Sequence, residues 1–368
     1  MPKSVQRSRK GSALLDMRAV AAKAKVSIAT VSRTINRLPT VNAKMAKRVW
    51  AAIDELGYVP NTQARALGSG RSGMIGLVVS EITNPFFPEL IQSFEDAAIE
   101  NGYEILIGST NYDPRRMELC IRRLLERKAE GVAILTFGIE QPLFEQLADR
   151  NIPLVFVDVG PDRPGVSVLK INYDHGIRQG VQHLAALGHR KIGFISGPLA
   201  LHSAQSRSRA FLKALGECGI PARPEWQVEG NHTFEGGIPC MERILGGSDR
   251  PTAVMCSNDM TALGALHVAH RLGLRVPADI SVVGFDNIQM ARVMIPPLTS
   301  VQMSPIDIAN AAVKALKAHI EGDNPQREYK IDTHLVVRES TDFPPGAMSD
   351  LKPSRRDQRD LPASSGRR

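Results

Sequence analysis

Nowhere does this 368-residue chain carry an apolar run approaching the roughly 20 residues of a membrane-spanning helix. The longest apolar stretches, "MIGLVV" and "IPLVFV", are far shorter, so no membrane association is expected. The basic opening "MPKSVQRSRKGSALLDM" is not followed by the apolar segment of roughly 7 to 15 residues that export signals contain, which predicts a cytoplasmic location. Cysteine is scarce. Cys120, Cys218, Cys240 and Cys256 lie far apart without metal-ligand spacing and read as thiols in a reducing compartment, with no metal and no cofactor expected. Reactive signatures are missing too: there is no HExxH, GxSxG, CxxC or phosphate-binding GxxxxGK[ST]. The glycine-rich "GSGRSG" precedes a predicted strand instead of following one, so it reads as a linker. No catalytic residues are therefore expected.

Acidic residues are short in one place only. Residues 1–72 hold 14 Lys and Arg against 3 Asp and Glu, whereas residues 73–368 hold 32 against 35. A strongly basic N-terminal fifth joined to a mildly acidic body suggests a small domain that meets a polyanion and a large one with another task.

Helical periodicity organises the basic part. Met17, Val20, Ala21 and Ala24 fall at i, i+3, i+4 and i+7, marking one amphipathic helix. Ser27 is placed to cap a second, "SIATVSRTIN", whose stripe Ile28, Val31 and Ile35 turns inward. Ala29, Thr30, Ser32, Arg33 and Asn36 remain on or beside its outer face, small or hydrogen-bonding side chains suited to the major groove of DNA. After Pro39, Asn42 can cap a third helix with Met45, Val49, Ile53 and Leu56 inside and Lys44, Lys47 and Arg48 outside. The pattern predicts a small all-α domain over residues 16–60, preceded by a basic arm over 1–15.

Here "VSIATVSR" followed by "LGYVPN" resembles the DNA-binding headpiece of the lactose/galactose repressor family. The resemblance implies a helix-turn-helix in which Ile28, Ala29 and Arg33 face bases, while Ser27, Thr30, Ser32, Asn36 and Asn42 hold phosphates or the groove wall. Lys25 stands at the turn where the family usually has glycine, which implies backbone strain and, if it points outward, one more phosphate contact. Residues 61–72 then form a hinge. Asn61 can cap a helix of barely two turns, too short to be stable alone, and Leu67 matches the family residue that wedges between base steps in the minor groove.

From Met74 onward short apolar runs alternate with amphipathic segments. Strands are predicted at "MIGLVVS", "YEILIGS", "GVAILTF", "IPLVFVD", "RKIGFIS", "TAVMCS" and "ISVVGF", with helices near 86–101, 114–129, 140–150, 203–218, 235–246 and 260–272. Alternating β and α units in two sets predict two α/β lobes with doubly wound parallel sheets and a ligand cleft beyond the carboxyl ends of the strands. Similarity to the family extends from about residue 16 to 344, through "NPFFPEL", "ND" at Asn258-Asp259, "TALGAL", "VVGFDN" and "IPPLTSV", and implies a periplasmic-binding-protein-like sensor over 73–345. Its lobes are expected at 73–171 with 299–326 and at 172–298 with 327–344. By position, the resemblance implies ligand contacts from Phe86, Phe87, Asp158, Ser203, Arg207, His232, Asn258 and Asp286.

Two carboxylates, an arginine and an aromatic wall suit a sugar, polyol or sugar acid, since hydroxyls donate to carboxylates and an apolar face packs on a ring. A purine reader would more naturally place an aromatic platform where Asp158 stands. The chain is thus expected to be a transcriptional regulator, by family habit a repressor, with operator DNA and a small effector, a carbohydrate by this reasoning, as partners. Repressor against activator, and inducer against co-repressor, stay open at this point. A solute-binding protein without regulatory role is the alternative, and it would need an export signal and no DNA domain. A C2 homodimer is expected because one recognition helix reads few base pairs, with helices 86–101 and 114–129 as candidate interface. The tail from 346, rich in Pro, Ser and charge, is expected to be disordered, and it lacks a leucine heptad.

Overall fold

The structure is a computed structural model and describes residues 16–35, 40–59, 71–136, 141–323 and 325–346. Asn36, Leu67, the basic arm, most of the hinge and the tail beyond residue 346 lie outside the described residues. The chain divides between Gly73 and Met74 into two compact units.

The first unit contains helices α1 (Met17–Ala24), α2 (Ile28–Ile35) and α3 (Ala43–Leu56). Val20, Ala21, Ala24, Val31, Ile35, Val49, Ala52 and Ile53 bury one shared core, flanked by Leu56 and Tyr58. Helix ends are defined by capping chemistry. Asp16 accepts from the Arg18 and Ala19 amides at the start of α1; the Thr30 amide donates to Ser27 Oγ at 3.1 Å; the Lys44 amide donates to Asn42 Oδ1 at 2.8 Å. At the far end of α3, Gly57 takes φ 63°, its amide reaching Asp54 O and that of Tyr58 reaching Ile53 O. This paired closure needs a left-handed residue, which is why "LGY" ends the helix.

The same closure ends α1, but with a lysine. Lys25 sits at φ 52°, ψ 52°, its amide bonded to Ala22 O and that of Val26 to Ala21 O. Two expectations change here. Arg48 does not simply face outward, because its guanidinium donates to Ala24 O and Lys25 O across the turn. Met45, expected inside, is 38% exposed.

The second unit holds two six-stranded sheets. Strands β1 (Met74–Val79), β2 (Glu104–Ser109), β3 (Gly131–Leu135), β4 (Leu154–Val157), β5 (Val166–Asn172) and β11 (Glu328–Asp332) form the first, in the order β11-β5-β4-β3-β1-β2, all parallel. The second contains β6 (Ile192–Ser196), β7 (Gln227–Glu229), β8 (Ala253–Cys256), β9 (Ser281–Asp286), β10 (Thr299–Gln302) and β12 (His334–Val336), in the order β12-β10-β9-β8-β6-β7, with only β12 antiparallel.

Helices α4 (Phe86–Glu100), α5 (Pro114–Glu126), α6 (Gln141–Ala148) and α11 (Pro305–Glu321) serve the first lobe. The second lobe has α7 (Tyr173–Ala186), α8 (His202–Glu217), α9 (Phe234–Leu245) and α10 (Asp259–Arg271). Burial follows the strand period of two: Ile75, Leu77 and Val79 join one core and Val78 joins the other, with Ile121 and Leu124.

The lobe boundaries differ from expectation. β10 belongs to the second sheet and β11 to the first, so the chain crosses between lobes after Asn172, after Gln302 and after Asp332. The first lobe is therefore 74–172 with 303–332, and the second is 173–302 with the residues from 333. The first and third crossings are tied together, Asn172 Nδ2 donating to Asp332 Oδ1 at 2.7 Å and Thr333 Oγ1 to Asn172 O at 2.7 Å.

Candidate functional site

A cavity of about 550 Å³ opens between the two lobes, and all eight residues expected at a ligand site line it. From the first lobe come Phe86 and Phe87, which begin α4 and pack edge to face at 5.5 Å, and Asp158, directly after β4. From the second come Ser203 and Arg207 on α8, His232 before α9, Asn258 before α10, and Asp286 at the end of β9. The placement follows from parallel topology: the carboxyl ends of the strands in each sheet feed loops and helix starts that face one cleft.

Arg207 is the centre of charge. It is 6% exposed, its guanidinium lies 4.0 Å from the Phe285 ring centre and 5.1 Å from that of Tyr173, and Nη1 donates to Ser257 O. Nη2 stands 3.8 Å from Asp286 Oδ1, an ion pair beyond hydrogen-bond reach, while Nε is buried without a hydrogen-bond partner. Burial pushes the Asp286 carboxyl up to about 7, against the lowering effect of Arg207 and with a further rise from Glu89. The carboxyl of Asp158 is also raised by burial, opposed by the Tyr173 hydroxyl, which donates to Oδ2 at 2.7 Å, and by the Ile171 amide, which donates to Oδ1 at 3.4 Å.

Burial and Arg207 together lower the His232 imidazole to about 3, so this ring is neutral. Its Nε2 is buried and unpartnered. The ring packs where a Cβ on Gly197 would stand, so residue 197 must be glycine for His232 to adopt this position.

Asp158 (φ 63°), His232 (φ 66°) and Asp286 (φ 98°) all hold left-handed backbone, a conformation that non-glycine residues adopt at a cost and that clusters at ligand sites. Asn258 lines the cavity but is already engaged: Oδ1 caps α10 by accepting from the Thr261 amide at 2.9 Å, and Nδ2 donates to His232 O at 2.8 Å. Its neighbour Asp259 is fully buried, accepting from Ser300 Oγ at 2.6 Å and the Ile288 amide at 2.9 Å, which fixes the turn after Asp286. Helix α8 enters the cavity wall with Leu201 at its cap position, no side chain capping it and no acidic residue in its first turn.

Tyr173, Tyr112 and His202 also line the cavity and escaped the sequence reading. Tyr112 follows β2 at its carboxyl end, so the strand-end rule could have found it. Tyr173 begins α7 at a lobe crossing, directly after β5, a strand the apolar-run criterion passed over because Ser167 and Lys170 interrupt it.

In the first unit, Ile28 at 47% exposed, Ala29 and Arg33 form the outward surface of α2. Helical periodicity had placed Ile28 inside; Thr34, 4% exposed and donating to Thr30 O, occupies the core instead. Ser27, Thr30 and Ser32 lie along the same helix, and Asn42 and Lys44 start α3.

Residues 16–61 match the model of bacterial regulatory proteins of the lacI family, and residues 181–341 that of a periplasmic binding protein-like domain. The "HTH-type transcriptional repressor PurR" of Photorhabdus laumondii subsp. laumondii is 38% identical over 324 residues, 87% of this chain and 95% of that protein. This chain belongs to the lacI family of bacterial regulatory proteins. The PurR repressor of Aliivibrio salmonicida (strain LFI1238) is 33% identical over 323 residues, 87% of this chain and 97% of the relative. Among solved structures, the Lac repressor dimer bound to operator and the anti-inducer ONPF superposes with a TM-score of 0.79 at 30% identity, covering 89% of this chain and 99% of the other. The transcriptional regulator CelR in complex with cellobiose gives 0.67 at 30% identity, with the same coverages. As a lacI-family member the chain has a DNA-binding helix-turn-helix followed by a periplasmic-binding-protein-like domain. Among the described residues no helix is long and apolar enough to cross a membrane.

Proposed function

We propose that this chain is a cytoplasmic, homodimeric repressor whose affinity for operator DNA is set by a small polyhydroxylated effector held between the two lobes. The observation that carries this reading is convergence: eight residues spread from 86 to 286 line one cavity, with Arg207 and Asp286 buried against each other on its wall. Hydroxyls can donate to the carboxylates while a sugar face packs on Phe86 and Phe87. Cellobiose in the CelR structure is the same class of molecule. On DNA, Arg33 reads base edges from the exposed face of α2, Ile28 and Ala29 contact apolar base groups such as the thymine methyl, and Ser27, Thr30, Ser32, Asn42 and Lys44 hold the backbone. Asn36 and Leu67 take the same roles as in the headpiece resemblance.

Control is thermodynamic. An effector that prefers one lobe angle shifts the population that binds operator, and operator changes effector affinity by the same factor. Fluorescence anisotropy with operator DNA tests this directly, with and without candidate effectors, on wild type and Arg207→Ala. Wild type should respond and the variant should not; an identical response at identical concentrations removes Arg207 from the site.

A further inference from the structure

We propose that the effector carries an oxyanion, a carboxylate or a phosphate ester, seated on the N-terminus of α8 beside Arg207. This rests on the effector reading above and narrows its chemistry. Two independent observations meet on α8, whose first residues and Arg207 line the same cavity. Leu201 occupies the cap position of the 16-residue helix His202–Glu217 with extended backbone (φ −90°, ψ 129°), offers no side-chain oxygen, and is followed by no acidic residue in the first turn. The positive end of the helix dipole, with the first-turn amides, therefore stays uncapped where the helix lines the cavity.

One turn further along, Arg207 is 6% exposed with Nε unpartnered, and its ion pair with Asp286 stops at 3.8 Å. A buried guanidinium that is not fully hydrogen-bonded is costly unless an acceptor completes it. Asp158 accepts instead from the Tyr173 hydroxyl and the Ile171 amide. An oxyanion satisfies both the helix end and the arginine.

The charged neighbours of this site predict how binding depends on pH. Asp286 faces Arg207 on α8, Glu89 on α4, Tyr112 after β2 and Asp259 on α10. With its carboxyl pushed up to about 7, Asp286 is half protonated near neutrality, and a bound anion favours the protonated form. For a carboxylate ligand, which stays ionised throughout this range, binding therefore takes up a proton at Asp286, and affinity falls as pH rises above 7, by up to about tenfold per unit.

The test uses the full chain and four probes: gluconate, glucuronate, glucose 6-phosphate and neutral glucose, followed by thermal shift and calorimetry at pH 6, 7 and 8. At least one anion should bind at least tenfold tighter than glucose, more weakly at pH 8 than at pH 6, and the acid and phosphate arms show which oxyanion is taken. Leu201→Asp supplies the missing cap, so it should keep or raise the melting temperature while abolishing anion binding, whereas Leu201→Asn should weaken it less. Glucose binding as tightly as the anions, no anion binding at all, or unchanged anion affinity in Leu201→Asp would overturn the proposal. Should neutral glucose bind as tightly as the anions and alter operator affinity, the effector reading stands and only the anion inference falls. An anion that binds without altering operator affinity leaves the site intact and removes the effector role.

Discussion

Lys25 holds a left-handed backbone in which its Cβ crowds the following carbonyl, a penalty of about 1–2 kcal/mol that glycine avoids. Part of that gain is offset by the greater freedom glycine loses on folding, so Lys25→Gly should stabilise the first unit by about 0.5–1 kcal/mol. Hydrogen exchange of the α1 amides in the full chain measures it, and slower exchange is the expected result. Two other residues oppose each other in pH. Asp286, raised from 3.8 to about 7, contributes stability that is fully present below pH 4 and lost as pH rises through 7. His232, lowered from 6.5 to about 3, contributes stability present above pH 6.5 and lost as pH falls toward 3. Relative to wild type, Asp286→Asn should therefore gain as pH rises from 4 to 7, and His232→Gln should gain as pH falls from 6.5 to 4. Urea unfolding at a series of pH values reads both slopes, and parallel curves for either variant would contradict the assigned direction. Neither shift was legible in the sequence, because desolvation depends on what surrounds the group in space.

Elements were legible where local pattern sufficed. Helices α1 to α3 follow their apolar spacing and capping residues, the departures at Ile28 and Met45 arise because a three-helix core is too small to cover a full stripe on each helix, and Arg48 departs because it donates to the carbonyls that end α1. Other elements were passed over: β5 with its interrupting polar residues, the short or polar strands β7, β10, β11 and β12, and also α7 and α11, although the buried residues of α7 (Tyr173, Gly176, Ile177, Gly180, Val181 and Leu184) do follow helical spacing. The outward face of α2 carries a prediction of its own. Arg33→Ala should cost about 1–3 kcal/mol on operator and little on random DNA, because a base contact is lost. Lys44→Ala should weaken both DNAs alike and reduce the salt slope by about one, as expected for a phosphate contact. Salt titrations of anisotropy on the two DNAs separate these outcomes, and equal losses for Arg33→Ala would show that it reads no base.

At the scale of the whole molecule, the lobes meet across the cleft through a bond no single element contains: the Gln289 amide, after β9, donates to Glu89 Oε1 on α4 at 2.8 Å. The same carboxylate raises Asp286, so it both latches the two lobes together across the cleft and adds like charge beside the site. Glu89→Ala should release the latch, widening the ligand-free particle in small-angle scattering and weakening effector binding about fivefold, the equivalent of about 1 kcal/mol for one hydrogen bond. An unchanged scattering profile together with unchanged affinity would show that the latch carries no closure energy.

Sequence by itself determined the two-unit organisation and the three short helices, because capping and periodicity are local properties that the chain carries along its length, while the eight cleft residues came from the positions that the family resemblance implies. Only tertiary structure decided which lobe owns β10 and β11, that Asn258 spends its polar atoms on α10 and the His232 loop, that Tyr173 occupies Asp158, and that α8 presents an uncapped end to the cavity. Strand partners and hydrogen-bond satisfaction depend on residues distant in the chain, and burial sets the charge of Asp286 and His232 only once the chain has folded around them.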